Sequence, residues 1–204
     1  MNDSFFVETS IIGTPNILIL ALYENDADVN AFIDLFTAEV SCKKRIVAMQ
    51  KFSFDTFHSL QEFLETAKER YEYNCLMIVA HGNENTVGIE NTPNVSGAEV
   101  LQNPVSVSNF LLDATDDKLL FLAVCKSGEP SIVNTFIHGD SQALFALTPE
   151  EGDYLYIDPG AKAMAMFFNK MVERQLHQYR FEHLKSIEDE VKLQYPGVLK
   201  LTAF

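Results

Sequence analysis

Five short apolar runs, each giving way to polar or glycine-rich chain, set the rhythm of this sequence: Asn16–Tyr23, Ile46–Phe52, Cys75–Ala80, Leu119–Val124 and Gln142–Leu147. Runs of this length without polar alternation are strands covered on both faces, as in a parallel sheet. Between them the period becomes helical. Val29, Phe32, Ile33 and Phe36 fall at i, i+3, i+4 and i+7 behind Asn25 or Asp26, either of which can cap the helix. Phe57, Leu60 and Leu64 make a second inner face, and Ala161, Met164, Ala165, Phe168 and Val172 a third, opened by Asp158-Pro159 with proline in the first turn. Residues 1–15 read as a lead-in with an edge strand at Phe5–Val7, and residues 177–204 as a C-terminal helical extension built on a helix from about Phe181 to Gln194.

Strands alternating with helices of this length are βαβ units, and right-handed crossovers put helices on both faces of the sheet. The expected fold is a single α/β domain over residues 1–204: three layers, a mostly parallel sheet of strand order 2-1-3-4-5. In such a sheet the site lies beyond the carboxyl ends of the strands, where the order reverses. Tyr23 to Asp28, His81 and Cys125 all map to that rim.

Composition narrows the function. An apolar fraction of 47% over 204 residues supports a sizeable core, while a net charge of −14, from 29 acids against 15 bases, disfavours nucleic acid and anionic membranes as partners. The three cysteines make no disulfide framework, the N-terminus Met1-Asn2-Asp3-Ser4 has no basic signal region, and no apolar run approaches the roughly 18 residues of a membrane helix. The expectation is a soluble, cytoplasmic protein.

Two of the apolar runs end in reactive side chains: Cys75–Ala80 stops at His81-Gly82, and Leu119–Val124 stops at Cys125-Lys126-Ser127-Gly128. At neutral pH a free thiol is mostly protonated, so a nucleophilic cysteine needs a neighbouring histidine to take its proton. Adjacent strand ends supply that neighbour. With these motifs the chain resembles the caspase-type (clan CD) cysteine peptidases, which include caspases, metacaspases and CHAT domains, over roughly residues 16 to 175. His81 and Cys125 lie 44 residues apart, near the roughly 50 of the caspase signature, and Cys125-Lys126-Ser127-Gly128 is similar to the Cys-x-Ser-Gly of metacaspases.

The resemblance implies a caspase-like fold and a cysteine endopeptidase acting on protein or peptide substrates. Cys125 is then the nucleophile, His81 the general base and acid, and the backbone N–H groups of Gly82 and Cys125 the oxyanion donors. Neither a metal nor another cofactor is implied. Two positions depart from the pattern: Ala123 stands where metacaspases carry an aspartate that recognises a basic residue, and Val124 is bulkier than the Ala or Ser that caspases place there.

Glu24, Asp26 and Asp28 follow the first strand and can line a pocket for a Lys or Arg side chain; equally, acids suit the start of a helix. Cys42 and Cys75 read as structural, and His138, at the opposite edge, as a lesser rival base. The short stretch from Lys126 to about Ser141 leaves little loop to cut. Control is therefore expected from ordering of the rim loops, Asn83–Pro104 or Thr148–Asp158, on binding substrate or an activating protein partner. Two other readings stand beside the peptidase: a catalytically inactive caspase-like module for interaction or regulation, and a flavodoxin-like small-ligand binder. Against the ligand binder, Glu24-Asn25-Asp26 occupies the place of a phosphate loop.

Overall fold

The computed structural model describes residues 10–22, 26–52, 57–83, 86–87, 117–130, 132–134, 143–150 and 155–203. Its centre is a six-stranded sheet. In chain order, β1 (Ile11–Ile12) is followed by β2 (Ile17–Leu22), helix α1 (Ala27–Glu39), β3 (Ile46–Phe52), α2 (Phe57–Arg70) and β4 (Cys75–Ala80). A small hairpin of β5 (Gly82–Asn83) and β6 (Thr86–Val87) precedes β7 (Leu119–Val124) and β8 (Phe145–Pro149). The chain ends with α3 (Ile157–Arg174), β9 (Gln178–Tyr179), α4 (Phe181–Gln194) and β10 (Leu199–Ala203).

Across the sheet the order is β3-β2-β4-β7-β8-β10, so the five expected strands stand in the expected sequence and all of them run parallel. Every residue of β2, β4, β7 and β8 is buried, which is why their sequences need no polar alternation. From β2 the chain steps one way to β3 and then back across to β4. Right-handed crossovers therefore send α1 and α2 to opposite faces.

On the α1 face the buried residues are Val29, Phe32, Ile33 and Phe36, as their spacing requires. Helix α3 lies beside α1: Asn169 donates to the carbonyl of Glu39 at 2.9 Å and accepts from the backbone N–H of Ser41 at 2.8 Å, satisfying the end of α1. Phe167 and Phe168 of α3 meet Phe121 of β7 edge to face, with ring centres 6.0 and 6.4 Å apart.

The strand expected at Gln142–Leu147 starts at Phe145 and runs on through Pro149. Thr148, which looks like a turn residue in sequence, is buried there because its hydroxyl donates to the Pro149 carbonyl at 2.9 Å. The C-terminal segment is more than a helical extension. Beyond α4, β10 pairs antiparallel with β8 and completes the sheet, while β9 ties Tyr179 to Ile11 of the lead-in. The buried carboxylate of Glu188 on α4 accepts from the backbone N–H of Leu201 at 3.0 Å, so the helix covers part of an edge that would otherwise invite pairing with another chain. The expected edge strand Phe5–Val7, the helix caps Asp55 and Thr56, Glu24 and His138 lie outside the described residues.

Candidate functional site

Strand register builds the site. β4 and β7 are paired from Cys75↔Leu119 to Ala80↔Val124, so the next residue on each strand, His81 and Cys125, emerges side by side at the carboxyl edge. The reversal of strand order falls between β2 and β4, next to the same edge.

The Cys-Lys-Ser-Gly turn is held by its own residues. Ser127 is fully buried, and its hydroxyl lies 2.8 Å from the carbonyl of Val124 and 3.2 Å from that of Leu122, tying the turn back to the end of β7. Lys126 takes a left-handed conformation, φ 58°, that swings the chain away. Gly128 passes so close to β8 that a Cβ there would stand 2.1 Å from the Pro149 carbonyl oxygen. The Ser and Gly of the motif thus act through the backbone, leaving Cys125 half-buried at the rim, its Sγ 3.9 Å from the carbonyl oxygen of Leu155.

His81 is oriented by the start of α1. One carboxylate oxygen of the N-cap Asp26 accepts from the backbone N–H groups of Asp28 and Val29, each at 2.9 Å, and the other lies 2.9 Å from His81 Nε2. Burial pushes the Asp26 carboxyl up, but the N–H donors at the helix start and the bond and charge of His81 outweigh it, so its pKa is lowered from 3.8 and the group stays ionised. The contact with Asp26 fixes which ring nitrogen of His81 faces the start of α1. The His81 and Asp26 side chains are 42% and 32% exposed, open enough for a substrate to approach.

Between the helices and the strand ends lies a cavity of about 90 Å³, lined by Asp28, Val29, Phe32, Val79, Ala80, His81, Ala123, Cys125, Leu155 and Ile157. It joins both reactive side chains in one space. Of the three acids expected to receive a basic group, Asp28 is at this cavity, Asp26 is engaged with α1 and His81, and Glu24 lies outside the described residues. Gly82 sits in β5, paired with Val87, so the hairpin fixes the backbone just beyond His81.

Asp26, Asp28 and His81 also bring one ligand atom each to within 4.8 Å of one another, a nitrogen and oxygen set able to hold a borderline cation such as zinc. A cation there would compete with Asp26 for His81. The sequence pointed to each of these residues but not to the Asp26–His81 bond, which joins the start of α1, just after β2, to the end of the neighbouring strand β4. The positional signal was there: both belong to the carboxyl rim beside the reversal of strand order.

No protein-family model and no curated protein matches this sequence. Among solved structures the chain is similar to a secreted C11 cysteine protease from Bacteroides thetaiotaomicron, in complex with an irreversible peptide inhibitor, with a TM-score of 0.49 and 7% identity. The match covers 79% of this chain and 57% of that one. Likeness at this level leaves the chemistry to be argued from the site itself.

Proposed function

We propose that the protein is a cysteine endopeptidase of caspase-like architecture, in which Cys125 is the nucleophile and His81 the general base and acid. The observation that carries this reading is the β4–β7 register, which brings a histidine and a half-buried thiol out on adjacent strand ends at the mouth of one cavity. His81 Nδ1 takes the thiol proton, and the thiolate attacks the scissile carbonyl carbon to form a C–S bond. The backbone N–H groups of Gly82 and Cys125 receive the oxyanion; in other acyl-transfer enzymes one such donor is worth about 3–4 kcal/mol.

The imidazolium then protonates the leaving amine as the C–N bond breaks. Water, giving up a proton to His81, hydrolyses the thioester and restores the thiol. Asp26 enters as a positioning residue: its carboxylate fixes the imidazole ring and offsets the positive charge that forms on it.

The test is digestion of a denatured-protein peptide library, with cut sites read by mass spectrometry. Cleavage by the native chain that disappears in both Cys125→Ala and His81→Ala supports the assignment. A native chain that cuts nothing and whose Cys125 reacts no faster than an ordinary thiol would instead mark an inactive interaction module.

A further inference from the structure

Resting on that peptidase reading, we infer that the cavity beside Cys125 is the specificity pocket for the residue supplying the scissile carbonyl. It takes a short aliphatic side chain, alanine or valine, rather than a basic one. The cavity belongs to the site by construction. On a pleated strand, residues two apart share a face, so Ala123 lies beneath Cys125 and Val79 beneath His81, and all four line the same space.

The walls come from the covering helices: Val29 and Phe32 from α1, with Leu155 and Ile157 where the chain enters α3. A volume of about 90 Å³ lies well below the few hundred Å³ of a ligand pocket, which suits the branched end of valine better than an extended lysine or arginine.

Charge points the same way as size. The strand residues beneath the reactive pair are Ala123 and Val79, both buried and apolar. Asp28 is an exposed residue, and Asp26 is already committed to α1 and His81. Among the described residues the exposed Asp28 is the one acid of the lining, and the apolar walls around it would strip water from an ammonium or guanidinium at a cost that they do not return. A side chain of methyl groups loses nothing polar and covers apolar surface.

Gly160 sets the depth of this pocket from behind. A Cβ at that position would stand 2.5 Å from Leu155 Cδ1 and 2.8 Å from its Cγ, with Phe32 Cε2 at 3.4 Å. The glycine thus leaves room for Leu155, one of the cavity walls, to pack against the first turn of α3. The residue has no catalytic contact, yet it controls the room available to substrate.

The experiment uses peptidyl acyloxymethyl ketones identical except for the last residue (Gly, Ala, Val, Leu, Asp, Lys or Arg), with modification of Cys125 timed by mass spectrometry. Iodoacetamide, which carries no side chain to be selected, is run in parallel on the native chain and on His81→Ala. The expected result is that the Ala and Val probes react about tenfold or more faster than the Lys and Arg probes. Ala123→Val and Gly160→Ala should each move the preference from Val toward Gly and Ala. Gly160→Ala keeps the second test available should the strand variant fail to fold, since alanine favours the helix.

His81-dependent iodoacetamide labelling together with fastest reaction of the Lys or Arg probe, or with equal rates throughout, would overturn the pocket assignment and leave the peptidase standing. Absence of His81-dependent labelling would remove both.

Discussion

Two cysteines on adjacent strands make the most instructive comparison in this molecule. Cys75 opens β4 at the amino edge of the sheet, fully buried, its Sγ 3.6 Å from Asn74 Oδ1, and burial pushes its thiol far up despite the opposing charge of Lys118. Cys125 comes one residue after β7 at the carboxyl edge, half-buried, sharing a cavity with a histidine. The same side chain is buried packing in one place and a candidate nucleophile in the other, because one edge of the sheet encloses its thiol and the other presents it beside a histidine. Size does not make the distinction: the amino edge holds the larger cavity, about 440 Å³, lined by Ser10, Asn74 and Lys118 among others.

The sharpest way to break the comparison is to remove each thiol in turn. Cys125→Ala and His81→Ala should each cut peptide cleavage by about 10³-fold or more, and the double variant should be no worse than either single one, because the pair acts as one unit. Their unfolding midpoints should stay near that of the native chain. Cys75→Ala should do the reverse, keeping cleavage while lowering stability by about 1 kcal/mol through the small cavity it leaves, as read by urea unfolding.

Asp26→Asn should give the next largest effect. Asparagine still caps α1, so the helix is kept, but the charge facing His81 is gone. Cleavage should fall about 10²-fold with little change in melting temperature. An activity loss that merely tracked unfolding would make Asp26 a helix cap and nothing more.

Much of this arrangement was legible in the chain. The buried strands are unbroken apolar runs, the face Val29, Phe32, Ile33 and Phe36 comes from its spacing, and strand order from alternation and handedness. β10 was missed although Leu199 and Leu201 point inward and Lys200 outward, a period of two that begins after the Gly197 turn. One antiparallel strand after a helix carries no alternation rule to demand it. The Asp26–His81 bond and the space that Gly160 gives Leu155 depend on packing between separate elements, which no local pattern records.

Gly128→Ala should blur the difference between the two thiols by disturbing the turn that presents Cys125. The added methyl meets a backbone oxygen, not a flexible side chain, so a loss of about 2 kcal/mol in urea unfolding is expected, with slower Cys125 modification.

The smallest effect, and the control, lies away from both thiols at Glu188. Burial raises its carboxyl pKa, but Lys185, the Leu201 N–H and Lys192 together bring it below 4.5. A lowered folded pKa means that this contribution to stability is present above pH 4.5 and fades as pH falls through the folded value. Glu188→Gln should flatten that acid limb of the melting curve while leaving the Cys125 modification rate unchanged and Cys75 unmodified.

The most direct measurement is the rate of iodoacetamide modification of each cysteine in the folded chain at neutral pH, native against His81→Ala, resolved by peptide mass spectrometry. Cys125 should be modified fastest, Cys42 in its partly exposed loop at the rate of an ordinary thiol, and Cys75 not at all. In His81→Ala the Cys125 rate should drop about tenfold or more while Cys42 is unchanged. Equal Cys125 rates in the two proteins, or a Cys125 no faster than Cys42, would contradict a His81-activated nucleophile.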